Sequence, residues 1–306
     1  MRADGASLID WHPDVAAALA AGRPVVALES SVLAQGLPAP ANREAAMRMT
    51  TAVRSAGAVP AVTAVAGGRL HVGLTDATLE RFLTAGARKV SARDLGPAIA
   101  AGTDGSTTVA GTLAICAAAG LDVFATGGIG GVHRGAPYDE SADLLELGRT
   151  SAVVVCAGAK SILDLPATLE RLETHGVTVI GYRTNEFPGF FTPRTGLPVP
   201  STADSAAEIA RAFRAARAIG RPGAVLVVQP PLAEAALDGA IVERAVAAAL
   251  AEADSAGVRG GAVTPFLLAA VERATAGRSL AANIALLESN ARLAGEISAA
   301  LAAGSR

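Results

Sequence analysis

Short apolar runs alternate along the chain with longer segments in which apolar residues recur at helical spacing. The runs typical of strands lie at 24–29, 59–65, 69–73, 121–127, 151–158, 176–182 and 223–229. The segments typical of helices include 41–57, 107–120, 164–176 and 205–220, and each ends in glycine, as helix C-termini prefer. Because the strands are apolar throughout, we expect both of their faces to be buried. The pattern predicts an α/β fold, a three-layer α/β/α sandwich with a mostly parallel or mixed sheet.

The last third of the chain, from Leu232 onwards, is helical in character and is expected to pack on the sheet. Its alanine-rich stretch 240–257 carries Glu243 and Arg244, which indicates an amphipathic helix and not a membrane span. The first ten residues lack the apolar core of a signal peptide. The lack of a signal peptide predicts a cytoplasmic location. Since there is no linker-like stretch and no internal repeat, we expect a single domain over 1–306.

The composition excludes several classes of partner. A net charge of -2, the lack of a basic run and an aromatic content of 3% argue against nucleic-acid binding. The two cysteines, Cys116 and Cys156, lie in apolar segments without the spacing of a metal site, so we expect reduced thiols in the core. With 51% hydrophobic and 18% charged residues, the composition is typical of a folded globular protein.

Lysine is rare in this chain. Of 26 basic side chains only Lys89 and Lys160 are lysines. Arginine stays protonated at any working pH, whereas a lysine that loses its proton becomes a nucleophile. Lys160 follows the apolar run 151–158, at the end of a predicted buried strand. The alternative is that both lysines are incidental surface residues.

Three loops are expected to meet at the carboxyl ends of the strands, where ligands bind in sheets of this kind. They are 29–40, 126–143 and 157–164. The first begins with Glu29, which a buried position suits to proton transfer, although a capping or salt-bridging glutamate is an equal alternative. Lys160 lies in the third loop, so the fold predicts an acid and an amine at one site.

Two further segments have polar candidates. The stretch 102–112 places Ser106, Thr107 and Thr108 before an apolar helix, which predicts an anion site or, as the better-supported alternative, an ordinary N-cap. The glycine-rich 126–135 matches neither nucleotide-binding loop but indicates close backbone approach.

An acidic cluster follows in 138–143. Its side chains Asp139, Glu140, Ser141 and Asp143 suit a partly hydrated Mg²⁺ or Mn²⁺ ion. The same residues are also typical of a helix N-terminus capped by Ser141 or Asp139, and the two interpretations are compatible.

Six motifs in one order carry a resemblance to a known family. They are "ALESSVLAQGLPAPANREAA", "KVSARDL", "DGSTTVAGT", "VFATGGIGGVHRGA", "SADL" and "VVVCAGAKSILDL". The chain resembles the pseudouridine-5'-phosphate glycosidase family, also described with the indigoidine synthase A-like proteins. The resemblance implies reversible cleavage of the C–C bond between ribose 5-phosphate and uracil, with Mn²⁺ or another divalent cation, in a homotrimer with an α/β/α core.

The resemblance also implies a role for particular residues. Lys160 would be the nucleophile, Glu29 the proton donor and Lys89 a contact of the substrate phosphate. Asp139 falls at the metal-ligand position. The residues implied to bind or line the substrate pocket are Val109, His133, Ser141, Ala142, Asp143 and Asn283.

The implied chemistry has a physical reason. A C-glycoside has no oxygen or nitrogen leaving group, so an uncharged Lys160 attacking the sugar and forming a Schiff base offers a route. A buried strand end and the nearby charge of Lys89 would favour loss of the proton that this requires. Two alternatives remain: a related enzyme that joins the sugar to another aromatic acceptor, and a non-catalytic sugar-phosphate binding protein.

Overall fold

The computed structural model describes residues 8–85, 87–135, 138–258 and 263–304. Its strands are β1 (Ile9–Trp11), β2 (Val25–Leu28), β3 (Val59–Ala66), β4 (Arg69–Val72), β5 (Arg88–Val90), β6 (Gly105–Thr107), β7 (Val123–Ala125), β8 (Val132–His133), β9 (Val153–Cys156), β10 (Leu163–Asp164), β11 (Thr178–Tyr182), β12 (Ser201–Ala203) and β13 (Val225–Val228). All seven predicted strands are present, most of them slightly shorter than the apolar run.

Eleven of the strands in the described residues form one sheet. Its main path runs β1-β4-β3-β2-β7-β9-β13-β11-β12, with β6 attached to β3 and β5 attached to β6. The centre from β3 through β2 to β12 is parallel, whereas β3 pairs antiparallel with both β4 and β6. The sheet is therefore mixed, as predicted. A separate two-stranded ribbon pairs β8 with β10.

The helices fill the connections between the strands and most of the C-terminal third. They are α1 (Pro13–Ala20), α2 (Ala41–Ser55), α3 (Asp76–Ala85), α4 (Leu95–Ala100), α5 (Val109–Ala119), α6 (Ala142–Arg149), α7 (Leu165–Thr174), α8 (Ala206–Ala218), α9 (Gly239–Ser255), α10 (Val263–Ala274) and α11 (Arg278–Ala303). A π-helical turn spans Val32–Gly36 and a 3₁₀ turn spans Ala92–Asp94.

The sheet is buried on both faces because successive residues of each central strand enter different cores. Val153 and Val155 of β9 join the core formed with α2, α8 and α11, whereas Val154 and Cys156 join the core on the opposite face. All four are fully buried. Burial of each such side chain stabilises the fold by about 1.5–3 kcal/mol. The predicted three-layer α/β/α sandwich is confirmed.

The helical C-terminal third is also confirmed, and its helices occupy different places. The 26-residue α11 lies along the sheet and contacts β2, β7 and β9. Helices α9 and α10 pack mainly against each other. No helix in the part of the chain that the structure describes is long and apolar enough to cross a membrane.

Both cysteines are core residues, as predicted. Cys116 and Cys156 are free thiols with no exposed surface. Burial raises the pKa of each to about 12, so neither is a competing nucleophile near neutral pH.

Candidate active site

The carboxyl ends of three neighbouring strands, β2, β7 and β9, lie side by side and open into one cleft. Glu29 follows β2, Thr126 follows β7 and Lys160 lies four residues beyond β9. Glu29, Ser31, Lys89 and Lys160 line both halves of this cleft. The structure thus brings together the acid and both amines that the sequence predicted.

Glu29 is held by hydroxyl groups and not by a cation. The residue is 5% exposed, and its carboxylate accepts hydrogen bonds from Ser31 Oγ at 2.5 Å and from Thr126 Oγ1. No basic side chain among the described residues forms an ion pair with it. The salt-bridging alternative for Glu29 is therefore wrong. Since a carboxylate has about four acceptor sites, lone pairs remain for a substrate in the cleft.

Lys160 is fixed at its backbone and free at its amine. Its backbone N–H donates to Ile129 O at 3.1 Å, and its carbonyl accepts from Leu163 N at 3.0 Å. The side chain is half-buried, so Lys160 is not an incidental surface residue. Its Nζ has no hydrogen bond or ion pair with any described residue. A rigidly placed amine without a protein partner is available to a ligand.

The turn before Lys160 requires glycine at position 158. Gly158 has φ 85°, a conformation that costs other residues energy. A Cβ placed there would lie 2.1 Å from Pro188 O. The loop 187–191 therefore packs directly on the turn that presents the amine.

Lys89 faces the same cleft from β5. Burial of its ammonium group and the positive charge of Lys160 lower the pKa of Lys89, while the carboxylates of Asp143 and Glu29 oppose them. The residue as a whole is exposed. The positive charge of Lys160 therefore acts on the amine of Lys89.

The larger half of the cleft contains the N-terminus of α5. Thr108 caps this helix by accepting from Gly111 N at 3.1 Å, as the N-cap alternative predicted. Ser106 and Thr107, expected at the start of the helix, form β6 instead. Val109 lines the cleft, and its N–H donates to no described residue. An N-cap and an available donor for an anion are therefore both present.

The acidic cluster separates into different roles. Ser141 caps α6 through Asp143 N at 3.2 Å. The buried Asp143 carboxylate accepts from Ala110 N at 2.9 Å and Gly130 N at 2.8 Å, so it joins the starts of α5 and α6 to the glycine-rich loop. Glu140 pairs with Arg171, whose guanidinium lowers the pKa of Glu140. Ser141, Ala142 and Asp143 all line the cleft, as the resemblance implied.

Asp139 lies beside His133 in the larger half of the cleft. Its side chain is 45% exposed, and its Oδ1 lies 3.2 Å from Nδ1 of His133, a buried nitrogen that has no hydrogen-bond partner. The described residues contain no group of three or more His, Cys, Asp or Glu side chains that could enclose a metal ion. One carboxylate beside an unpartnered nitrogen fits a divalent cation that keeps most of its water.

The smaller half of the cleft combines apolar surface with a few polar groups, which suits a flat ring with polar edges. Val32, Phe190 and Leu268 supply apolar surface, and Gln35 and Asn283 supply amides. Asn283 is 8% exposed and its Oδ1 is buried without a hydrogen-bond partner in the described residues. A ligand N–H would satisfy this oxygen.

The glycines of 127–131 allow close approach to protein side chains. A Cβ on Gly128 would meet the ring of Phe190 at 2.5 Å, and one on Gly130 would meet Ser141 Oγ at 2.3 Å. A Cβ on Gly131 would lie 2.4 Å from Thr168 Oγ1. The predicted close approach is confirmed, and two of the partners, Phe190 and Ser141, line the cleft.

Sequence reasoning missed a buried hydroxyl cluster under the cleft. Thr63 Oγ1 lies 2.9 Å from Thr107 Oγ1 and 3.1 Å from Thr112 Oγ1, and Ser30 Oγ accepts from Thr107 N at 2.9 Å. All four are fully buried. The cluster fixes β6 to the ends of β2 and β3. The available signal was Thr63, a single hydroxyl inside an apolar strand.

A second missed cluster joins α11 to the cleft. Asn290 Nδ2 donates to Thr126 O at 2.8 Å, and its Oδ1 accepts from Gln229 Nε2 at 2.8 Å. Both amides are buried. Because Thr126 also donates to Glu29, this pair positions the acid from the far end of the sequence.

Comparison with known proteins identifies relatives over nearly the whole chain. Residues 14–300 match the family model described as indigoidine synthase A like protein. A pseudouridine-5'-phosphate glycosidase from Gemmatimonas aurantiaca is 64% identical over 288 residues, 94% of each chain. One from Herpetosiphon aurantiacus is 54% identical, covering 94% of this chain and 96% of its own.

Two solved structures are also similar. The prealnumycin C-glycosynthase AlnA, in complex with ribulose 5-phosphate, is 48% identical with a TM-score of 0.90, covering 97% of this chain and 98% of its own. An indigoidine synthase A-like protein from Thermotoga maritima is 35% identical with a TM-score of 0.89, covering 96% and 97%.

Proposed function

The chain belongs to the indigoidine synthase A-like family and is an enzyme, and from this premise we propose that it cleaves pseudouridine 5'-phosphate to uracil and ribose 5-phosphate. The observation that carries the proposal is the unpartnered amine of Lys160 in one buried cleft with the carboxyl group of Glu29. Because the chain is an enzyme, we do not retain the alternative of a non-catalytic sugar-phosphate binding protein. The described relatives support C-glycoside chemistry.

The reaction begins at the sugar. Lys160 first passes a proton to Glu29. Its uncharged Nζ then attacks C1' while Glu29 delivers that proton to the ring oxygen, so the C1'–O bond breaks and the ribose opens. The nitrogen lone pair then forms a C=N bond and expels uracil, whose C5 takes up a proton. Water adds to the iminium carbon and releases ribose 5-phosphate and the free amine. One water is consumed, and no oxidation occurs.

An open-chain sugar phosphate fits this route. The C-glycosynthase relative is described in complex with ribulose 5-phosphate. That ketose cannot close a five-membered ring because its C5 oxygen carries the phosphate. Binding of such a compound by a relative supports a ring-opened state in this cleft.

Two groups of the larger half suit the phosphate. Lys89 offers a positive charge, and Val109 offers an amide N–H at the start of α5, where the helix dipole favours anions. Asp143 lines this half, but both of its carboxylate oxygens already accept backbone hydrogen bonds and its N–H donates to Ser141 Oγ. His133 completes the wall on the side of Asp139.

The smaller half suits uracil. Uracil presents N–H donors beside carbonyl acceptors, and the side-chain amide of Asn283 can pair with both. The unpartnered Oδ1 of Asn283 would accept from a ring N–H. This pairing holds C5 of the ring towards Lys160.

Asp139 would hold a Mn²⁺ ion or another divalent cation, with His133 beside it. When bound, such an ion orients and neutralises phosphate oxygens through its waters. Lys160 and Glu29 carry the bond-breaking steps themselves.

A second candidate is synthesis of a C-glycoside from ribose 5-phosphate and another aromatic acceptor. The relative named as a C-glycosynthase favours it, since it is 48% identical over nearly the whole chain. The residues at the sugar end serve either direction. The homotrimer, the single domain and the cytoplasmic location stay predictions.

Borohydride reduction in the presence of ribose 5-phosphate tests the proposed function. We expect one covalent sugar phosphate on Lys160, found by peptide mass spectrometry, and release of uracil from pseudouridine 5'-phosphate by the untreated enzyme. Lys160→Arg should fold and be inactive. An adduct only on Lys89, or turnover by the arginine variant, would contradict the assignment. Uptake of another acceptor without uracil release would favour the second candidate.

A further inference from the structure

Phe190 has an unusual backbone for a large residue. Its φ is 65°, in the left-handed region that costs a side-chain-bearing residue about 1–3 kcal/mol. The residue is 2% exposed, and its N–H donates to Ala157 O at 3.0 Å. The surrounding contacts therefore hold the ring in one place at the wall of the smaller half of the cleft.

The ring cannot move outwards. One of its edges lies on the backbone of Gly127 and Gly128, where added Cβ atoms would be 3.5 and 2.5 Å from ring carbons. Phe191 packs edge-on against it, with ring centroids 4.6 Å apart. Because a close-packed wall resists displacement, the ring fixes the depth of the space left for a ligand.

We infer that Phe190 determines the size of the acceptor ring, admitting a single aromatic ring with amide-like edges and excluding a second fused ring. The inference rests on the proposed function. It follows from the small cavity, the fixed ring and the polar Asn283 and Gln35 that share the wall with Phe190. The reaction centre at Lys160 is unaffected by this choice of ring.

Two matched ligands test the inference. The ligands are 4-hydroxypyridin-2-one, which has one ring, and 4-hydroxyquinolin-2-one, which has a second fused ring. In both, the reacting carbon lies between two oxygen-bearing carbons. The second ring is fused on the edge opposite to this carbon. Binding to the Mn²⁺-loaded enzyme is measured by calorimetry without sugar phosphate, so that no bond forms. We expect the wild type to prefer the single ring by at least about tenfold, the scale of steric discrimination in a pocket.

Phe190→Gly should remove this preference. Glycine suits the left-handed backbone and keeps the N–H bond to Ala157. Phe191→Leu is the matched control, since Phe191 is equally buried but does not line this half of the cleft. If thermal melting shows that the glycine variant is unstable, Phe190→Leu replaces it in the test. This variant retains apolar volume, so its preference for the single ring should be weaker than that of the wild type but not lost.

Equal binding of both rings by the wild type, or an unchanged ratio in Phe190→Gly, overturns the inference, as does an equal shift in Phe191→Leu. Uracil release from pseudouridine 5'-phosphate is measured in parallel. Release without discrimination between the rings defeats this inference alone, whereas absence of release defeats the proposed function.

Discussion

At the scale of single residues, the two lysines of the cleft differ in what surrounds them. The pKa of Lys89 is lowered by burial and by Lys160, so Lys89 loses its charge at a lower pH than an ordinary lysine. Its proposed role with phosphate requires the charged form. The two facts together give a pH dependence of ligand binding.

We expect affinity for ribose 5-phosphate to fall as pH rises through the lowered pKa of Lys89. In Lys89→Arg the guanidinium stays charged, so the fall should disappear even if the overall affinity is weaker. Calorimetric titration between pH 7 and 10 measures this. The same fall in the arginine variant would assign the pH dependence to another group.

Gly158 allows a second prediction at this scale. Gly158→Ala should lose about 1–2 kcal/mol through its left-handed backbone and about 1–3 kcal/mol more through contact with Pro188 O. Gly120→Ala is the control, because Gly120 has φ 68° but no atom within 4 Å of an added Cβ. Urea unfolding should separate the two variants, and only Gly158→Ala should also reduce kcat.

At the scale of elements, the long segments were predictable and the short ones were not. Strand β9 lies within an apolar run of eight residues, and helix α8 has enough residues to show a helical period. The three-residue β5 and β6 show none, and their pairing depends on contacts across the sheet. For this reason Lys89 could be assigned to the site only through the family resemblance, whereas Lys160 and Glu29 followed from the strand ends.

Contacts from distant segments explain what else sequence reasoning missed. Phe190 and Asn290 reach the cleft from the loop after β11 and from α11. A single sequence contains no signal that brings such residues together. Asn283 was found only because the resemblance named it.

The tie between α11 and the cleft can be tested by an element-scale substitution. Asn290→Ala should cost about 1–3 kcal/mol, because buried polar partners lose their hydrogen bonds. It should also lower kcat, since Thr126 then holds Glu29 less firmly. KM for the substrate should change little, because the phosphate contacts are untouched.

Ser298→Ala is the matched control for this tie. Ser298 Oγ donates to Val25 O at 3.0 Å, which also joins α11 to the sheet but at the opposite end of the strands. Stability should fall here without loss of kcat. A similar loss of kcat in both variants would mean that α11 acts only through overall stability.

At the scale of the whole molecule, a ligand that binds only the folded state raises the free energy of unfolding. Ribose 5-phosphate at a hundred times its Kd should add about 2.7 kcal/mol. The cleft is built from β2, β5, β7, β9 and α5, so this stabilisation reports on the assembled sheet. In thermal melting, the ligand should raise the Tm of the wild type. It should raise the Tm of Lys89→Met very little.

The divalent cation should contribute to the same stabilisation. If Asp139 holds the ion and the ion's waters contact phosphate, then Mn²⁺ should increase the Tm gain from ribose 5-phosphate, and EDTA should reverse the increase. Asp139→Asn should lose the Mn²⁺ increment while keeping the gain from the sugar phosphate alone. Glu140→Gln is the control, since that neighbouring carboxylate is already paired with Arg171. Because an exposed ion pair contributes only about 0–1 kcal/mol, this variant should melt close to the wild type and retain the increment. An increment that survives in Asp139→Asn would place the cation elsewhere in the cleft.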